Sequence, residues 1–167
     1  PLAVHGRVRA ARVSAVEARH GDYLLSDDPA QIDVDAVHAY LTQSYWAPGI
    51  PRETVARSLA NSFCLGIYAA DGAQVGLVRV ITDYATFAYL CDVYVLEAHR
   101  GRGLAKAAMK VTMEHPRLQG LRRFNLVTRD AHELYRPFGF TAVAQPERYM
   151  EKRDPEVYRR AAARQEK

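Results

Sequence analysis

The protein has 167 residues, 49% of them hydrophobic and 25% charged, with a formal net charge of +4. That length suits a single domain burying roughly two-thirds of its unfolded surface. No apolar run reaches the ~18–20 residues that span a bilayer, which argues against a membrane protein. The basic excess sits at the two ends, in Arg7, Arg9, Arg12 and Arg19 and again in Lys152, Arg153, Arg159, Arg160, Arg164 and Lys167. The body between them is nearly neutral, so a nucleic-acid partner is disfavoured.

Cys64 and Cys91 are the two cysteines, both inside apolar runs and without zinc or disulfide spacing. They read as reduced, buried thiols. With no signal-peptide core at the N-terminus, the expected setting is cytoplasmic. No His-x-x-x-His or Cys-x-x-Cys pair occurs, so no metal centre is expected.

Residues 1–21 read as an extension, 22–152 as the domain and 153–167 as a charged tail. Tyr23–Ser26 is a short strand ended by Asp27-Asp28-Pro29. Asp33 can cap a helix through about Ser44, with Val34, Val37 and Leu41 on one face. A Pro/Gly loop carrying Tyr45 and Trp46 follows, and Pro51 opens a second helix to about Asn61. Phe63–Ala70 and Ala73–Thr82 are strands joined by Asp71-Gly72, a strong hairpin signal.

After a turn at Asp83-Tyr84 comes the stretch that carries the chemistry. Tyr89–Val95 is a strand rich in β-branched and aromatic residues. Arg100-Gly101-Arg102-Gly103 is a basic turn in which glycine lets the backbone approach a ligand. Leu104–Met113 has helical periodicity, and that helix stops near His115 because Pro116 disfavours helical geometry in the residue before it. A helix opening in such a turn offers free N–H groups and a positive dipole end, which suits a phosphate. Phe124–Thr128 is a further strand, parallel to the first through the helical crossover. Asp130 to Glu133 has capping-box spacing for a short helix holding Leu134, Tyr135 and Phe138. Phe140–Val143 and Arg148–Glu151 are short closing strands. The predicted class is α/β, a mixed central sheet of about seven strands with helices on both faces.

Other glycine motifs fit poorly. Lys106 takes the third glycine position of a dinucleotide fingerprint, and neither Gly-x-x-x-x-Gly-Lys-Ser/Thr nor Gly-x-Ser-x-Gly occurs. Arg100-Gly-Arg-Gly-Leu-Ala105, directly after a strand, instead resembles the Arg/Gln-x-x-Gly-x-Gly/Ala turn of the GNAT acetyltransferases. Ala131-His-Glu-Leu-Tyr135-Arg-Pro-Phe-Gly139-Phe140 resembles that family's second signature, in the matching order and spacing.

The resemblance covers about residues 22–152. It implies transfer of acetyl from acetyl-CoA to a primary amine, by direct attack in a ternary complex. The acceptor is expected to be a small molecule. A protein amino group, or a non-catalytic CoA-binding domain, are the alternatives, and a homodimer is the family expectation. Arg100, Gly101, Arg102, Gly103, Leu104 and Ala105 would hold the pyrophosphate, and the backbone of Val93, Tyr94 and Val95 would meet the pantetheine. Thr128 stands where the family often has an Asn, and Ala131 opens the second signature beside the cofactor. Tyr135 matches the proton donor to the departing thiolate. The family's frequent strand glutamate is missing at Tyr89 and Cys91. Asp92 is therefore either the general base or a structural partner, and simple alternation puts it on the face opposite Tyr89, Cys91 and Val93. Water carrying the proton to bulk is the third possibility. Tyr45, Trp46, Tyr84 and Tyr89 are expected along the acceptor pocket. Arg79 is either a partner for an acceptor carboxylate or an outward surface charge.

Overall fold

The computed structural model describes residues 14–165. Six strands form one sheet in sequence order: β1 (Glu17–His20), β2 (Tyr23–Ser26), β3 (Phe63–Tyr68), β4 (Gln74–Thr82), β5 (Phe87–Val95) and β6 (Arg123–Leu126). Every neighbouring pair is antiparallel except β5 and β6, which run parallel. Between them the chain crosses over through α3 (Leu104–Glu114), as parallel pairing requires.

The sheet is covered on both faces because its central strands are apolar on both. Leu65, Ile67, Val78 and Val80 pack with Leu104, Ala108 and Met109 of α3 on one side. Cys64, Leu77 and Tyr94 pack on the other with Val37 and Leu41 of α1 (Val34–Leu41) and Val55 and Leu59 of α2 (Arg52–Ala60). The Asp33 carboxylate accepts from the Asp35 and Ala36 N–H groups and so starts α1. Pro116 ends α3, leaving His115 extended at its C-cap. Two further helices are α4 (His132–Tyr135) and α5 (Val157–Gln165), the latter within the stretch read as a charged tail.

The strand count is six where the sequence suggests about seven, and the membership differs. Glu17–His20, read as part of a leading extension, turns at Gly21 (φ +57°) and pairs with β2 along its whole length. It is short and half-exposed, with little apolar alternation to announce it. The rest of that extension, residues 1–13, lies outside the described residues. Phe140–Val143 and Arg148–Glu151 form no strands. Gln145-Pro146 breaks that segment, Pro146 opens a single 3₁₀ turn, and proline has no N–H to give a ladder. Asp130 does not cap α4 either. The Thr128 hydroxyl takes the Ala131 N–H instead, at 3.0 Å.

One irregularity decides the site. Opposite β4, Leu77 pairs with Tyr94 but Arg79 pairs with Cys91, so β5 holds one residue more than its partner. The extra residue is at Asp92, whose φ is +47°. Such a bulge reverses the alternation beyond it. Cys91 and Tyr94 therefore share the α1/α2 face, while Leu90 and Val93 pack toward α3. The expectation that Asp92 opposes Tyr89 and Cys91 fails for this reason.

Gly76 lies across from the end of this strand, paired with Val95. A Cβ there would sit 2.7 Å from the Tyr94 carbonyl oxygen and 2.8 Å from Ile67 Cδ1. The first neighbour is backbone and cannot swing aside. Gly76→Ala should therefore destabilise the protein by about 1–3 kcal/mol, measured by urea denaturation. An unchanged midpoint would contradict this packing.

Candidate functional site

The parallel β5–β6 pairing runs only from Phe87/Arg123 to Leu90/Leu126. Beyond it β6 ends, while β5 continues through Cys91 to Val95 with no strand partner on that side among the described residues. A cavity of about 780 Å³ fills the gap. Its walls bring together Tyr45, Trp46, Tyr89, Asp92, Val93, Tyr94, Val95, Arg100, Ala105, Thr128, Ala131 and Tyr135 from residues 90 positions apart in the chain.

At the mouth the turn is built from backbone. Gly101 (φ +74°) and Gly103 (φ +75°) both take left-handed conformations that glycine alone adopts cheaply. No side chain caps α3, so the N–H groups of its first turn stay available to an anion. The Arg100 Nε donates to the Val95 carbonyl at 3.0 Å, tying the turn to the strand end. The Leu104 side chain is buried in the core, and only its main chain belongs to the turn. Thr128 spends its hydroxyl on the Ala131 N–H.

Tyr135 is 8% exposed, and burial pushes its phenol up to about 12. It stays protonated at neutral pH and can give a proton away. Phe140 meets its ring edge-on at 6.0 Å, which fixes the phenol from behind. The Cys91 thiol also lines the cavity, and burial likewise pushes it up to about 12. A neutral thiol is a poor nucleophile, so nothing here favours a covalent acyl-enzyme.

Arg79 does not line the cavity. Its Nε donates to Asp92 Oδ2 at 2.6 Å and its Nη1 donates to the Ser62 hydroxyl at 3.0 Å. The pair is largely buried, with side-chain exposures of 13% and 7%. Burial works against the charge on Arg79, but Asp92 and the neighbouring thiols more than offset it and raise its pKa. The second Asp92 oxygen accepts from the Trp46 indole N–H at 2.8 Å. Asp92 is thus engaged at both oxygens, and Arg79 is directed to Asp92 and Ser62 rather than into the cavity.

Tyr84 is not in the cavity. Its backbone is left-handed (φ +58°), and its ring packs beneath the Arg117 guanidinium at 3.9 Å. Tyr40 and Arg129 take part without having been singled out from the sequence. Tyr40 stacks on Tyr94 with centroids 3.8 Å apart, and Arg129 lies 4.0 Å over the Tyr45 ring. Tyr40 falls three residues after the buried Val37 on α1, a helical spacing that could have found it. No comparable signal marked Arg129.

The sequence pattern of the Acetyltransferase (GNAT) family matches residues 29–140. The chain belongs to that family. A Gibberella zeae protein bearing an acetyltransferase name is 38% identical over 137 residues, covering 69% of this chain and 76% of the relative. A GNAT-family crystal structure from Xanthomonas campestris is 49% identical, with a TM-score of 0.79, over 81% of this chain and 96% of that one. A Clostridium acetobutylicum structure described with acetyl-CoA shares the fold at 14% identity and a TM-score of 0.57, covering 78% of this chain and 94% of that one. The GNAT assignment makes the protein an acetyltransferase. Among the described residues no helix is long and apolar enough to cross a membrane.

The Arg79–Asp92 pair in this GNAT fold gives a sharp test. Arg79→Met strands a buried carboxylate and should cost about 3–5 kcal/mol, whereas the Arg79→Met/Asp92→Leu double variant should recover most of it. Additive losses in a double-mutant cycle would show that the two side chains do not support one another.

Proposed function

We propose that the protein transfers an acetyl group from acetyl-CoA to the primary amine of a small molecule, by direct attack. The observation that carries this reading is the pair of aromatic faces at one end of the cavity. Tyr45 and Trp46 wall it from the loop between α1 and α2, anchored on β5 by the Trp46–Asp92 hydrogen bond. The two rings keep part of their surface open to solvent, at 53% and 40% exposure, and such faces suit the cation of a small amine.

The residues present fit acetyl-CoA. Two left-handed glycines with no neighbour crowding Gly101, and an uncapped helix start, suit a pyrophosphate. The unpaired edge of Cys91–Val95 suits an extended amide chain that pairs like a strand. When bound, acetyl-CoA supplies the activated acetyl thioester. The Val93 main-chain N–H is assigned to polarise the thioester carbonyl, and the Tyr135 phenol to protonate the departing sulfur.

The guanidinium of Arg79 and the indole N–H of Trp46 occupy the two Asp92 oxygens, so neither faces the acceptor free. The amine proton is therefore assigned to water rather than to a carboxylate. Cys64, the other thiol, is also pushed up to about 12 by burial and takes no part.

Acetyl-CoA should raise the melting temperature of the protein, and an amine panel read by free thiol release should reveal the acceptor. Tyr135→Phe should lower kcat by about 10²–10⁴-fold with little change in acetyl-CoA affinity. The wild-type kcat should show no alkaline fall through the ordinary tyrosine range, because the phenol loses its proton only near 12. Unchanged turnover in Tyr135→Phe would remove its acid role, and an alkaline fall near 10 would contradict its burial.

A further inference from the structure

The GNAT pattern begins at residue 29, so the β1–β2 hairpin stands outside it. Yet two side chains of that hairpin grip the Gly/Arg turn from 76 and 82 residues away. His20 Nε2 lies 2.8 Å from the Arg102 carbonyl oxygen, and the Tyr23 hydroxyl lies 2.8 Å from His99 Nδ1. The second contact is reinforced by an edge-on packing of the two rings at 5.7 Å. One contact therefore holds the residue that enters the turn, and the other holds its middle.

We infer that His20 and Tyr23 are positioning residues for the pyrophosphate-binding turn, and that the β1–β2 hairpin is a working part of the cofactor site. This rests on the acetyl-CoA reading above. A carbonyl oxygen can only accept, so His20 must carry its proton on Nε2. The peptide between Arg102 and Gly103 is planar and trans, so its C=O and N–H point in opposite directions. Drawing the Arg102 carbonyl toward His20 therefore aims the Gly103 N–H away from the hairpin, into the open side of the turn.

Glycine makes this hold necessary. Gly101 and Gly103 supply the left-handed turn but leave it free to sample many others, because glycine is equally at ease with positive and negative φ. Nothing within 4 Å flanks the Cβ position of Gly101, and at Gly103 that position meets only the His20 ring, 3.4 Å away. The hairpin thus restrains the turn at Arg102, beyond the tie that the Arg100 side chain makes to Val95 at its start. Without it, an anion would have to order the turn as it binds, which weakens affinity without touching the chemistry.

The experiment uses the full chain and two donors. Acetyl-CoA reaches the turn through its pyrophosphate, whereas acetyl-pantetheine lacks that group. In His20→Ala, KM for acetyl-CoA should rise roughly tenfold, the worth of about one hydrogen bond, with kcat little changed and acetyl-pantetheine kinetics unaltered. Tyr23→Phe, which removes a single oxygen, should shift KM the same way. His20→Gln, whose Nε2 can still donate, should restore most of the affinity.

Unchanged acetyl-CoA KM in both His20→Ala and Tyr23→Phe would overturn the inference, as would equal losses with both donors, which would mean general damage. If wild-type protein is not stabilised by acetyl-CoA, the cofactor reading itself fails and takes this inference with it. That outcome is visible before any variant is made.

Discussion

The ion pair between Arg79 and Asp92 is the interaction on which the functional half of the molecule depends. It joins adjacent strands at the bulge, and it offsets the cost of holding Asp92 in a left-handed backbone conformation, about 1–3 kcal/mol for a residue other than glycine. Removing either partner would leave a largely buried charge without a counter-charge. The same carboxylate holds Trp46, and the same guanidinium holds Ser62 at the foot of β3. One pair thereby fixes three things: the bulge, the loop between the first two helices, and the start of a central strand. The cavity inherits its shape from all of them.

The site is assembled from two kinds of material. Its cofactor end is mostly backbone: a glycine turn, the uncapped start of a helix, and a strand edge left bare where β6 stops at Leu126. Backbone groups tolerate many side chains, so this end can be specified by a few glycines and a helical pattern. The acceptor end is built from side chains, with Tyr40 stacked on Tyr94, Trp46 on Asp92, and Arg129 over Tyr45. Those contacts join α1, the loop after it, β5 and the segment beyond β6, which are distant in the chain. On the proposed reading, selectivity for the amine would belong to that end.

This division explains what could be read from the sequence. The turn, the helix behind it, and the Ala131–Phe140 signature were legible because their geometry is local: glycine where φ is positive, Pro116 where a helix must stop, apolar spacing between. The bulge was not legible. A strict period of two carries no mark for an inserted residue, so alternation alone puts Asp92 on the wrong face and leaves its pairing with Arg79 unannounced. Tyr84 failed differently, since an aromatic in a turn can pack beneath an arginine as readily as line a pocket. The closing strands failed because Phe140–Val143 has strand composition but the Gln145-Pro146 break denies it a ladder partner. Glu17–His20 was passed over because an edge strand of four residues needs almost no pattern to pair.

The protonation states of the cavity narrow its chemistry further. Burial holds the Tyr135 phenol and the Cys91 thiol in their neutral forms, and Asp92 is occupied by two donors. A cavity so arranged can give a proton, while the carboxylate on its β5 wall is already engaged. On the proposed reading, an amine acceptor, ordinarily protonated with a pKa near ~10.4 for a lysine-like group, would reach the carbonyl already neutral or lose its proton to water. Aromatic faces favour the cation at the entrance, while attack on the carbonyl needs the neutral amine. In that reading the proton would leave between those two points, on the side of the cavity where Trp46 and Tyr45 are exposed. The loop carrying Tyr45 and Trp46 would then bear both on which amine enters and on where its proton leaves.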